Sequence, residues 1–139
     1  MPRIISLDYG LRRTGIAVTD PLQLIATGLT TVSSPDLIAF LRDYFRRETV
    51  ESILVGYPLN LDHSETDASR PVQELIRTLK KEFPQLPVQL MDERFTSRIA
   101  SRSMIEMGLK KKQRRNKKLI DEIAATILLQ DYLLRYPGR

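Results

Sequence analysis

The sequence predicts an α/β fold built on a five-stranded mixed sheet, three antiparallel strands followed by two parallel ones, with helices on both faces. Three observations predict it. Three β-like runs follow one another near the start with only short turns between them, as in an antiparallel meander. Two further apolar runs are each preceded by a stretch of helical periodicity, as parallel crossovers require. The run Ser52-Ile53-Leu54-Val55-Gly56 is continuously apolar, which suits a strand covered on both faces.

The elements follow in order. Residues 3–8 form the first strand, ending in Leu7-Asp8 before Tyr9-Gly10. Residues 14–19 form the second and residues 24–32 the third, with Asp20-Pro21-Leu22 as the turn between them. Ser34 is an N-cap candidate with Pro35 at the first helical position, where its missing N–H costs nothing. Leu37, Ile38, Leu41, Tyr44 and Phe45 then repeat at helical spacing. Residues 52–56 are the fourth strand, a polar loop runs to Asp67, and a helix spans about 68–83. Residues 88–93 are the fifth strand. Thr96 or Ser97 caps a helix reaching Met107, stopped by Gly108. The last helix covers 117–135 with Asn116 as its cap, giving the order βββαβαβαα. At 139 residues the chain is expected to form one domain over 1–139.

Bulk composition narrows the function classes. There is no cysteine, so disulfides and thiolate metal sites are excluded. No uncharged apolar run approaches the ~20 residues of a spanning helix, and the start shows no signal-peptide pattern. A cytoplasmic protein without a membrane partner is the expectation. The net charge of +5 is local. Residues 110–118, Lys110-Lys111-Lys112-Gln113-Arg114-Arg115-Asn116-Lys117-Lys118, hold seven of the 22 basic residues and no acidic one. The remainder has 15 basic against 17 acidic residues. That pattern points to a polyanion contact at one place.

Three carboxylates stand out by position. Asp8 ends the first strand, Asp92-Glu93 ends the fifth, and Asp121 interrupts an apolar helical stretch. Such groups are costly to desolvate unless paired or bound to a cation, and three that converge suit Mg²⁺ or Mn²⁺, which take hard oxygen donors. Strand side chains alternate, so only one of Asp92 and Glu93 faces a given site. Arg13 and Arg94 are candidates for phosphate contact or carboxylate orientation. Lys117 and Lys118 oppose the dipole of the last helix, a mild cost that suggests phosphate nearby. Ala124 and Ala125 share a face with Asp121 and would let that helix approach the sheet. The bland alternatives are an acidic hairpin turn at Asp8, an Arg94-paired strand end, an acid near a helix start at Asp121, and a solvated basic loop. His63, the single histidine, is read as a solvent-exposed loop residue.

Four motifs in order resemble the YqgF family of RNase-H-like proteins, over essentially the whole chain. They are Asp8-Tyr9-Gly10 with Arg13-Thr14-Gly15, Val55-Gly56-x-Pro58-Leu59-Asn60, Asp92-Glu93-Arg94-x-Thr96-Ser97, and Lys118-x-Ile120-Asp121-x-x-Ala124-Ala125. His63 departs from the family, which often has glycine there. The resemblance implies an RNase-H-like fold and a catalytic, metal-binding set of Asp8, Glu93 and Asp121. It implies metal-dependent hydrolysis of phosphodiester bonds in structured nucleic acid, with processing of the 5′ end of pre-16S rRNA as the expected role. Resolution of Holliday junctions in DNA is the alternative. Residues 110–118 would hold the backbone of the strand being cut. The chain is expected to act as a monomer or a homodimer, and junction resolution, which takes two active sites, would need the homodimer. Two rivals stand beside this reading. Asp-x-Gly after a first strand also occurs in actin-like and sugar-kinase-like ATPases, but those use two such domains around a nucleotide. A non-catalytic nucleic-acid-binding assembly factor would use the basic segment alone.

Overall fold

The computed structural model describes residues 2–57, 69–92 and 116–136. Five strands form one sheet: β1 (Arg3–Tyr9), β2 (Arg13–Thr19), β3 (Ala26–Ser33), β4 (Val50–Tyr57) and β5 (Val88–Asp92). Their spatial order is β3-β2-β1-β4-β5. β1–β2 and β2–β3 pair antiparallel, whereas β1–β4 and β4–β5 pair parallel. The expected mixed sheet is therefore present. Among the described residues three helices pack on it: α1 (Leu37–Arg47), α2 (Ser69–Glu82) and α3 (Lys117–Arg135). The helix expected over 97–107 lies outside the described residues, as do His63 and positions 58–60.

Strand alternation divides the core into two layers. Ile5, Leu7, Ile16, Val18, Ile53 and Val55 face α1 and α2, where they meet Leu37, Leu41, Tyr44, Val72, Leu75 and Leu79. Ile4, Ala17, Ala26 and Leu54 face α3, where they meet Ala125, Leu128, Leu129 and Tyr132. Burial on both faces explains why β4 reads as an unbroken apolar run.

α3 crosses the sheet diagonally and touches its strands in turn. Thr31 Oγ1 on β3 donates to Lys118 O at 2.6 Å. Gly15 on β2 lies under Asp121. Ser6 Oγ on β1 donates to Ala125 O at 3.1 Å. Leu54 on β4 packs with Leu128 and Leu129. Tyr132 Oη donates to Gln89 Oε1 on β5 at 2.6 Å. Asn116 caps the helix as expected, its side chain accepting from the N–H groups of Lys118 and Leu119.

Two details depart from the sequence reading. β3 begins at Ala26 rather than at 24, because Asp20 claims the intervening backbone. Its carboxylate accepts N–H bonds from Leu22, Leu24 and Ile25, and the side chains of Leu24 and Ile25 are exposed. Ser34 does not cap α1. It opens a 3-10 turn (Ser34–Asp36), and no side-chain cap bond forms at that end. Its hydroxyl is instead directed to the β1–β2 turn.

Candidate active site

Parity places Asp8. On β1 the side chains of Ile4 and Ser6 face α3, so Asp8, two residues on, faces the same way. Its partner across the antiparallel ladder is Gly15. A Cβ built on Gly15 would stand 1.9 Å from Asp121 O and 2.9 Å from Glu122 N. Glycine thus removes the one side chain that would keep the α3 backbone off the sheet at this level. The result is that Asp121 is seated over Gly15, beside Asp8. Ala124 and Ala125, both buried, continue the close approach for the next turn.

Asp8 and Asp121 line one open cleft of about 290 Å³, with Tyr9, Gly10, Leu11, Arg12 and Arg13 forming its remaining wall. Arg13 Nε donates to Asp121 Oδ2 at 2.9 Å. Arg13 is one of two sequence candidates for orienting a carboxylate, and it occupies that place. Lys117 and Lys118 are exposed one helical turn before Asp121. Glu93 and Arg94, together with Lys110, Lys111, Lys112, Arg114 and Arg115, lie outside the described residues. Among the described residues no group of three His, Cys, Asp or Glu side chains is placed to hold a metal ion.

The structure gives two residues of this site roles that local patterning does not. Patterning groups Gly15 with the hairpin turn, although a glycine inside a strand pattern is itself a signal of close backbone approach. Ser34 has the local pattern of a helix cap. Its tie to Gly10 and Thr14 is long-range and leaves no local signal.

The sequence profile described as "RuvX: Holliday junction resolvase" matches residues 2–135. The chain belongs to the RuvX family. The resemblance to the YqgF proteins is thereby borne out. A protein of Christiangramia forsetii named "Putative pre-16S rRNA nuclease" is 54% identical over 133 residues, covering 96% of this chain and 98% of its own. One of the same name from Bacteroides thetaiotaomicron is 53% identical over 133 residues, covering 96% of each. Among solved structures, fowlpox virus resolvase in complex with Holliday junction DNA aligns with a TM-score of 0.56 at 16% identity, over 96% of this chain and 97% of that one. T. thermophilus RuvC in complex with a Holliday junction substrate gives 0.56 at 16% identity, over 97% and 96%. At that identity the likeness is one of fold, and it agrees with the RNase-H-like sheet expected from sequence. The nuclease reading made from the motifs is the one that the family's description and its relatives' names carry.

Proposed function

We propose that this protein is a metal-dependent endonuclease of structured nucleic acid whose site is Asp8, Glu93 and Asp121. The observation that carries the reading is the meeting of Asp8 and Asp121 in one cleft. They come from opposite ends of the chain, and an in-strand glycine serves their approach.

The donor set fits the cation. Asp8 and Asp121 offer carboxylate oxygens, which Mg²⁺ and Mn²⁺ accept. Glu93 is taken as the third donor because the family resemblance implies it, and it lies outside the described residues. Held by these carboxylates, a divalent cation would supply an acidified water and charge stabilisation of the phosphoryl group.

The protein's own contributions are positional. Arg13 fixes the orientation of Asp121 through Oδ2, and its charge offsets the cost of holding two carboxylates near each other. Lys117 and Lys118, with the basic run before them, would hold phosphates of the strand on the approach to Asp121. No histidine or cysteine is needed for the hydrolysis.

The finer assignment is processing of the 5′ end of pre-16S rRNA in the cytoplasm, supported by the names of relatives above 50% identity. The family's own description favours a second reading, resolution of four-way DNA junctions. Junction resolution needs two sites and hence a homodimer, whereas precursor trimming needs one. Cleavage of a 5′-extended 16S precursor and of a four-way DNA junction should be compared with one pure preparation in Mg²⁺. The rRNA assignment expects the precursor to be cut faster at equal concentration. Faster cutting of the junction, by symmetric paired nicks, would transfer the assignment to resolution.

A further inference from the structure

The turn between β1 and β2 is braced from outside. Its tip is Leu11-Arg12, and neither residue has the positive φ that two-residue hairpin tips favour; among the described non-glycine residues only Gln23 has one. Ordinary tips of this length splay their strands. One backbone bond closes this turn, from Gly10 N–H to Arg13 O at 2.9 Å. Ser34 supplies further bonds. Its N–H donates to Arg12 O at 2.9 Å, and its hydroxyl donates to Gly10 O. That hydroxyl has one proton, so the 2.9 Å bond to Thr14 must be donated by Thr14 Oγ1. A single residue at the β3–α1 junction therefore holds both sides of the turn.

The braced turn is a wall of the cleft that contains Asp8 and Asp121. At its tip Leu11 is 75% exposed and Arg12 is exposed. Single exposed leucines are ordinary on protein surfaces. This one is distinguished by its place. It is held out into water at the lip of a carboxylate cleft, beside a guanidinium, on a turn in which the carbonyls of Gly10, Arg12 and Arg13 each accept a bond.

We propose that Leu11 and Arg12 contact the substrate strand and that Ser34 is the positioning residue that sets them against Asp8. Arg12 takes a backbone phosphate next to the scissile one. Leu11 packs on the face of the adjoining base. In a continuous duplex that face is covered by its neighbour, so the contact selects a strand with an unstacked nucleotide, as at a single-stranded end or a branch. The proposal rests on the nuclease reading and sharpens its substrate class.

Binding measured in an Asp8→Asn background, where cleavage is blocked, tests it. The probes are a single-stranded RNA and a continuous RNA duplex of equal length, each titrated over a salt series. Arg12→Gln should reduce the slope of log K against log salt by about 0.7–0.9. Leu11→Ser should leave the slope unchanged and weaken single-strand binding by about tenfold, with little effect on duplex. Ser34→Ala should reproduce part of both effects at an unchanged circular dichroism spectrum, and Ser34→Thr should restore wild-type behaviour. An unchanged slope for Arg12→Gln, or equal weakening on both probes for Leu11→Ser, would overturn the proposal while leaving the nuclease reading intact. A parent protein that binds neither probe would overturn the proposal, and only a wild-type protein that also cuts neither the 16S precursor nor the four-way junction would overturn the nuclease reading.

Discussion

Gly15→Ala tests the packing that creates the site. The added Cβ would lie 1.9 Å from Asp121 O, 2.3 Å from Asp121 C and 2.9 Å from Glu122 N. All three are backbone atoms of α3, so no side-chain rotation relieves the clash. Contacts below 3.0 Å are essentially never tolerated at a Cβ, so helix and strand must separate by roughly 1 Å at this point. α3 is held down on either side by the Thr31–Lys118 and Ser6–Ala125 bonds. Overpacking a fitted core costs about 1–3 kcal/mol, and a backbone-on-backbone clash belongs at about 3. Asp121 moves with the helix, and a misplacement of ~1 Å at a reacting centre costs on the order of 10²-fold in rate. Gly28→Ala is the matched control. Its Cβ would meet the side chain of Glu122, with Oε1 at 2.5 Å and Cγ at 2.8 Å, and a rotamer change at a cost of about 1 kcal/mol clears it. Urea denaturation of both variants, with cleavage rates measured well below each midpoint, gives the two quantities. A Gly15→Ala protein within about 1 kcal/mol of wild type, or no less stable than Gly28→Ala, would refute the seating of α3 on Gly15.

Three further outcomes follow from the same account. Glu93→Gln should damage cleavage more than Asp92→Asn, both proteins remaining folded; the reverse ranking would move the third donor to Asp92. Replacing Lys110, Lys111, Lys112, Arg114 and Arg115 with Gln should lower the salt slope of binding by about 0.7–0.9 for each phosphate these side chains neutralise, and an unchanged slope would reduce the run to a solvated loop. The N–H group of Ile25, above all, holds the Asp20 carboxyl below its ordinary value; desolvation, second in size, opposes it, and the N–H groups of Leu24, Asp20 and Leu22 add to the lowering. A depressed folded-state pKa adds stability above the unfolded value of about 3.9 and loses it as pH falls through the folded one. Asp20→Asn should therefore be less stable than wild type at pH 7, with the gap closing below about pH 4; a gap independent of pH would contradict the role of the charge.

Much of this architecture is legible in the sequence because it is local. The β-like runs of β1 and β2 with the short turn between them, the apolar run of β4 and the Asn116 cap of α3 each sit within a few residues of their cause, and each element appears where the pattern puts it. Asp8 and Asp121 are legible as exceptions, charges placed where apolar residues belong. Their meeting is only partly so. Ala124 and Ala125 announce a close approach, but the residue that receives the helix is Gly15, whose partner is more than a hundred positions away. Ser34 shows the limit from the other side. Ser-Pro before a helical run is a good local cap signal, and a tertiary contact to Gly10 and Thr14 takes the hydroxyl instead. The start of β3 differs for a similar reason: Asp20 bonds the backbone of Leu24 and Ile25 into the turn, against their strand propensity.

The central claim is that Asp8 supplies charge to a metal-dependent cleavage site, and Asp8→Asn tests it most directly. Asn preserves the shape and removes the charge. The variant and wild type should be assayed side by side for Mg²⁺-dependent cleavage of the precursor RNA and the DNA junction, with binding measured in parallel. The account predicts a folded variant that binds nucleic acid as wild type does and cleaves neither substrate. Near-wild-type cleavage that still requires Mg²⁺, with contaminating nuclease excluded, would contradict it.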